Sequence, residues 1–399
     1  MTDFSLATLL RPIQPEEFFQ NYWERGPLHL LRADEFYYRE LLSIENIDDL
    51  ITRGDARYPA IRLAKGGAFF APEAYTRNIS YGDDSFKGVP DVEKIFTEYL
   101  AGATVTLPAL HLTWQPLRKL CNQLEVELDH SVYTNAYITP ANASGFSAHY
   151  DTHEVFVLQI AGLKHWRIYS PPLHLPHHSQ SCSPERAGAL AEPLMEIELS
   201  PGDLLYLPRG YLHSTTTSRS FSAHVTVGIT VYTWVELAAE LLQSCIAEPR
   251  FRRALPAGFA SRKELKKTLR EGLAELVDSL HGADDPNYDQ AVDAFIERVR
   301  AARPRTNGTF RADVTSIEPQ TQLRVSPGRR YRVFAEAGQT VLTVEGRRVL
   351  LPAAALRTLE AMCASTHFIP EALPGNISLE GKLALVRYLH GLAFLEPVT

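Results

Sequence analysis

The chain has 399 residues, 45% of them hydrophobic and 22% charged, which is too long for one small core and points to two or three globular domains. Its four cysteines (Cys121, Cys182, Cys245 and Cys363) are scattered without a CxxC pair, which argues against a disulfide framework or zinc ribbon. No stretch approaches eighteen uninterrupted apolar residues, and the start lacks a basic segment followed by an apolar one, so a cytoplasmic protein without a membrane span is expected.

In chain order, Pro15 followed by Glu16 and Glu17 opens a helix whose aromatic residues form one docking face. Further helices are predicted over 43–51 and 91–101, with strand and loop material over 57–73 between them. A strand follows over 103–107, then a helix over 116–128 with Leu117, Leu120 and Leu124 on one face. Strands are then predicted over 132–138, 147–151, 155–160, 165–169, 195–199, 204–207, 212–217 and 222–232. Short strands divided by Gly/Pro turns, with no long helix between them, indicate a barrel or a double-sheet jelly roll.

The long polar insert over 170–194 carries His174, His177, His178 and Cys182. Their spacing matches no standard metal-ligand pattern, so a surface loop is expected there. From Trp234 the pattern turns helical, over 235–242, 261–281 and 289–302, and 304–308 reads as a linker. The remainder shows strands over 322–325, 331–335, 339–344 and 347–350, then helices over 353–365 and 378–392.

Charge is unevenly placed within the net −7: residues 1–233 hold 18 basic and 27 acidic side chains, 234–305 hold 12 of each, and 306–399 hold 10 and 8. An acidic first part favours a basic protein segment as partner over nucleic acid phosphates, or serves solubility alone. Arg324, Arg329, Arg330 and Arg332 invite a DNA-binding reading of the last segment, but its charge is far below a nucleic-acid footprint, so no direct DNA binding is expected.

The chemistry concentrates between Gly145 and His213. Side chains on a strand alternate faces, so His149 and Asp151 are predicted to project to one side. His213 follows a Pro-Gly-Asp turn, a short apolar strand and a Pro-Arg-Gly turn. Two histidines and one carboxylate suit Fe(II) and leave three coordination positions open, whereas zinc would recruit a fourth protein ligand or a base. The predicted face also holds His153, either as a replacement ligand or packed beside the other two.

The ordered series Asn135-Ala-Tyr137, Gly145-Phe, His149-Tyr-Asp151-Thr-His-Glu, Gly162-Leu-Lys164-His-Trp166 and Pro-Gly-Asp…Leu-Pro-Arg-Gly…His213 resembles the Jumonji-C ribosomal oxygenases, a cupin branch of the Fe(II)/2-oxoglutarate dioxygenases. The similarity reaches upstream to the Pro15 helix, downstream to Arg252-Arg-Ala-Leu-Pro-Ala-Gly-Phe, and fades after about residue 310.

The resemblance implies an α+β chain with a double-stranded β-helix (cupin/jelly-roll) core. A JmjC catalytic domain with its N-terminal extension would occupy 1–233, a helical dimerisation module 234–305, and a winged-helix-like domain 306–399. It implies His149, Asp151 and His213 as ligands of Fe(II), with 2-oxoglutarate and O2 as cosubstrates and Lys164 pairing the far carboxylate of 2-oxoglutarate. Asn135 and Tyr137 match positions lining the cosubstrate or substrate pocket. Gly228 stands where relatives often supply a serine hydroxyl to that carboxylate. The implied reaction is hydroxylation of a His or Arg side chain of a basic ribosomal protein by a homodimeric enzyme. Alternatives are a hydroxylase of a peptide natural product or other protein, a metal-binding cupin without turnover, and a winged-helix regulator.

Overall fold

A computed structural model describes residues 4–398 apart from 54–55, 184–189, 264, 280–285, 302–316, 327–328, 330 and 345–346. The chain divides into two compact units, Met1–Val231 and Tyr232–Thr399. The predicted linker over 304–308 lies outside the described residues.

The first unit contains β1 (Leu28–Leu30), β2 (Arg62–Lys65), β3 (Ala68–Phe69), β4 (Thr76–Tyr81), β5 (Asp84–Pro90), β6 (Thr104–Leu107), β7 (Ser131–Thr139), β8 (Glu154–Gly162), β9 (Lys164–Ile168), β10 (Met195–Leu199), β11 (Leu204–Leu207), β12 (His213–Thr216) and β13 (Ser222–Thr230). Eight strands form one antiparallel sheet in the order β1-β11-β8-β13-β7-β6-β2-β3, and β10-β9-β12 form a second. This is the double-sheet jelly roll of the cupins.

Period-two alternation explains how the layers assemble. On β8, Phe156 and Leu158 join the core beneath the helices, while Val155 and Val157 turn to a second core with Trp166, Ile168, Leu205 and Leu207. Both faces of β8 and β11 are covered, so both strands read as continuous apolar runs. On β13, Ala223, Val225, Val227 and Ile229 are buried against the helical side, and the intervening residues face inward. The helix Gln115–Leu128, with Pro116 in its first turn, contributes Leu117, Leu120, Cys121 and Leu124 to that same core.

Two expectations need correction. Residues 147–151 are not a strand: within them, only His149 enters an isolated bridge, with His213. The strand β1 and the hairpin β4–β5 were not anticipated. The hairpin is largely exposed and so lacks the apolar alternation that marks a half-buried strand, and β1 is too short to show a period.

In the second unit, helices Trp234–Ser244 and Pro286–Ala301 are joined by an Arg298 Nε to Glu240 Oε2 contact of 3.1 Å, and Tyr232, just ahead of the first helix, meets Phe295 of the second edge-on. A third helix spans Leu265–Ser279. Beyond them lie a three-stranded sheet (Tyr331–Glu336, Gln339–Val344, Arg347–Pro352), helices Leu356–Ala364 and Leu379–Gly391, and a two-stranded pair Leu323–Val325 with Leu395–Pro397. Leu342, Leu359, Met362, Val386, Leu389 and Phe394 fill their shared core. The arginines are engaged within the unit: Arg324 with Glu396, Arg329 with the Ala393 carbonyl, and Arg332 with Asp293. Arg330 lies outside the described residues.

Candidate metal and cosubstrate site

His149, Asp151 and His213 converge although His149 and Asp151 are not on a strand. The His149 amide donates to the His213 carbonyl at 3.1 Å and the His213 amide to the His149 carbonyl at 2.8 Å, while the Gly210 amide donates to the Asp151 carbonyl at 2.9 Å. Three backbone hydrogen bonds thus clamp the two ligand segments together. Gly210 (φ +92°) permits the turn: a Cβ there would lie 2.3 Å from the Leu173 carbonyl oxygen. One ligand atom from each of the three side chains lies within 4.8 Å of the others.

Both imidazoles are oriented alike. Nδ1 of His149 is 2.8 Å from the Ser147 carbonyl, and Nδ1 of His213 is 3.1 Å from the Tyr211 carbonyl. A carbonyl only accepts, so each Nδ1 carries the proton and each Nε2 keeps its lone pair for a metal. Burial lowers the His213 pKa to about 4, which keeps the ring neutral. Burial pushes the Asp151 carboxyl up, but His153, His213 and His149 together outweigh it and hold the group below its ordinary value. Lone-pair imidazoles with an ionised carboxylate are a fitting donor set for Fe(II). His153 Nε2 lies 3.9 Å from Asp151 Oδ1, and its ring meets Tyr133 edge-on.

His149, Asp151 and His213 open onto a cavity of about 300 Å³ that Asn135, Tyr137 and Lys164 also line. Lys164 shares an inward face of β9 with Trp166 and Ile168 and is 2% exposed. Its Nζ donates to Thr139 Oγ1 at 2.9 Å, and that hydroxyl lies 3.1 Å from Thr104 Oγ1. No carboxylate among the described residues pairs with it, and burial lowers its pKa to about 8. A buried ammonium facing a cavity without a counter-charge is a site prepared for an anion. Asn135 Oδ1 accepts from the Ala109 amide at 3.0 Å, and Tyr137 stacks on His224 with centroids 5.1 Å apart. Burial, then Asp151, raises the Tyr137 hydroxyl to about 12, so it remains a donor.

The strand alternation that buries Lys164 also brings in two residues that sequence reasoning did not assign. Trp166 packs between His213 and His224, at 5.7 and 5.8 Å, and its Nε1 is buried without a partner. His224 shares the inward face of β13 with Thr226 and lines the cavity. Gly228 continues that face, and there is no room for a serine there: a Cβ would lie 2.5 Å from Tyr133 Cζ and 2.8 Å from its hydroxyl. Tyr133, cross-strand from Gly228, fills the space.

The structure is thus a jelly roll in which two histidines and a carboxylate are clamped together as a donor set for a divalent metal. The family model for the JmjC domain matches residues 110–237. The chain is 32% identical over 234 residues to "Bifunctional lysine-specific demethylase and histidyl-hydroxylase NO66" of Drosophila pseudoobscura pseudoobscura, covering 56% of this chain and 22% of that protein. It is 29% identical over 297 residues to "Ribosomal oxygenase 1" of Gallus gallus, covering 73% and 46%. The chain thus spans less than half the length of these curated relatives. Its fold matches that of YcfD, a ribosomal oxygenase from Escherichia coli solved in complex with cobalt and 2-oxoglutarate, with a TM-score of 0.51, 15% identity, and coverage of 97% of this chain and 99% of that one.

Proposed function

We propose that this chain is an Fe(II)- and 2-oxoglutarate-dependent dioxygenase that hydroxylates a His or Arg side chain of a ribosomal protein. The observation that carries the reading is the pairing, in one cavity, of a His149/Asp151/His213 donor set with the buried, uncompensated ammonium of Lys164. Among the relatives, one is named a histidyl-hydroxylase as well as a lysine-specific demethylase and another a ribosomal oxygenase, which supports the hydroxylase reading, and cobalt with 2-oxoglutarate in the E. coli neighbour supports the cofactor assignment.

His149, Asp151 and His213 would hold Fe(II), which supplies the chemistry that couples O2 and an oxoacid to oxidation of an unactivated carbon. Lys164 would pair the distal carboxylate, with Asn135 and Tyr137 shaping the walls. Phe146, in edge contact with His149, Tyr137 and Phe69, screens the triad on the side of the exposed Phe69. The excess of acidic residues in 1–233 suits a basic ribosomal segment as substrate.

In the same reading, 1–233 is the catalytic domain, 234–305 a dimerisation module and 306–399 a winged-helix-like domain that does not bind DNA, in a cytoplasmic homodimer. Exposed Trp234, Val235, Leu242, Leu273 and Val277 on the helices support an apolar interface, and the ion-paired arginines of the last segment support a scaffold role. No helix among the described residues is long and apolar enough to cross a membrane.

The test is conversion of 2-oxoglutarate to succinate by the iron-loaded protein with ribosomal proteins as substrate. Turnover that needs iron and is lost in His149→Ala supports the reading; turnover unaffected by that change removes it.

A further inference from the structure

Resting on the cosubstrate reading above, we propose that His224 is a second anchor of the distal carboxylate, donating a hydrogen bond from a neutral ring beside the Lys164 ammonium. His224 is 6% exposed, lines the cavity and sits cross-strand from Tyr137. Its ring is fixed by packing: stacked on Tyr137 at 5.1 Å and 15° between planes, and met edge-on by Trp166 at 5.8 Å and 73°. Side chains held this way on two strands of a barrel are oriented before any ligand arrives.

Yet the ring is not satisfied. Nδ1 is sealed from solvent with no hydrogen-bond partner among the described residues. A buried polar atom without a partner is costly, and native interiors retain few of them. Burial, reinforced by the positive Lys164 nearby, holds the imidazole well below its ordinary pKa, so it carries one proton. Placing that proton on the sealed Nδ1 would bury an unpaired N–H, so the donor is Nε2, on the edge left to face the cavity. Lys164 supports this geometry, since two of its three ammonium hydrogens remain after the bond to Thr139 Oγ1. A carboxylate has two oxygens and accepts from two donors at once, so one anion can accept from Lys164 Nζ and His224 Nε2 together, while Nδ1 keeps only its lone pair. A role for His224 as a metal ligand does not fit: it is outside the cluster formed by His149, Asp151 and His213.

The test uses the full chain loaded with Mn(II) without oxygen, titrated calorimetrically with 2-oxoglutarate and with 2-oxobutanoate, which lacks the distal carboxylate. His224→Phe keeps an aromatic ring for stacking and removes both nitrogens. The expected result is a dissociation constant for 2-oxoglutarate raised by about tenfold or more, with that for 2-oxobutanoate and the Mn(II) affinity unchanged. His224→Gln, which restores an amide donor, should recover part of the loss, whereas His224→Met, of similar length, should not. Should the phenyl ring disturb folding, the Gln and Met pair alone makes the same contrast. An unchanged constant for 2-oxoglutarate, or equal weakening of both oxoacids, would overturn the assignment. If the wild-type chain itself shows no preference for 2-oxoglutarate, the cosubstrate reading fails, a result distinct from loss of the His224 role.

Discussion

Arg209 and Glu154 form a buried ion pair, Nη1 to Oε1 2.7 Å, that ties together the two segments carrying the candidate metal ligands. Glu154 follows Asp151 by three residues and is fully buried, and Arg209 precedes His213 by four in the Pro-Arg-Gly turn. Tyr206 donates to the same carboxylate, and Arg209 Nη1 donates to Glu24 as well. The pair therefore fixes the spacing of the site from behind. Removing one partner leaves a buried charge alone, so Arg209→Met should lower unfolding free energy in urea by about 3–5 kcal/mol. Adding Glu154→Leu should recover much of that loss. Equal destabilisation by the single and double variants would show that the ion pair is not what holds the segment.

Lys164 makes a pH signature accessible. Its unliganded pKa of about 8 lies below the unfolded value because burial disfavours the charged form. The native state therefore binds fewer protons than the unfolded one between about pH 8 and 10.4, and the group's destabilising contribution, complete below pH 8, is relieved as pH rises through that window. Oxoacid binding does the opposite: it favours the ammonium, so affinity should fall by up to roughly tenfold per unit above pH 8. Lys164→Met should remove both trends and weaken 2-oxoglutarate binding by about ten- to a hundredfold. An affinity independent of pH between 8 and 10 in the wild type would place the carboxylate elsewhere.

The glycine at 228 is a packing requirement. Gly228→Ser offers no extra hydrogen bond to the cosubstrate, because its Cβ meets the Tyr133 ring at 2.5 Å. The variant should lose about 1–3 kcal/mol of stability by overpacking, and Gly228→Ser with Tyr133→Leu should restore part of it. Tighter 2-oxoglutarate binding by the single variant would contradict this.

The proposed dimer is checked by multi-angle light scattering at micromolar concentration, where twice the chain mass of 44.7 kDa is expected. Trp234→Glu together with Leu242→Glu should convert it to monomer. A wild-type monomer would assign the exposed apolar side chains some other role.

Much of the site was legible because barrel strands leave a period of two in the sequence. Lys164, Trp166 and Ile168 alternate with His165 and Arg167, and the buried set is the apolar one plus a single lysine. The expectation for Lys164 itself came from the likeness of Gly162-Leu-Lys164-His-Trp166 to the ribosomal oxygenases, and its burial among apolar neighbours supports it. The placement of His149 and Asp151 was anticipated for an incomplete reason: they meet His213 through a loop held by backbone hydrogen bonds, which no local periodicity encodes. The Tyr133–Gly228 contact was hidden for a similar cause, since cross-strand register between residues 95 positions apart depends on how the sheet assembles. His224 was on the page as part of a strand, but only burial and an unpartnered nitrogen distinguish it from an ordinary core histidine. The hairpin β4–β5 escaped because its residues face solvent, where the hydrophobic pattern carries no signal.

The central claim is hydroxylation of a ribosomal protein at the His149/Asp151/His213 centre. Its most direct measurement is intact-mass spectrometry of ribosomal proteins from cells lacking the endogenous chain and supplied with either the wild type or Asp151→Ala. The account predicts that one ribosomal protein gains the mass of one oxygen atom with the wild type only, at a His or Arg residue on fragmentation. Identical ribosomal protein masses in the two cell lines would contradict it.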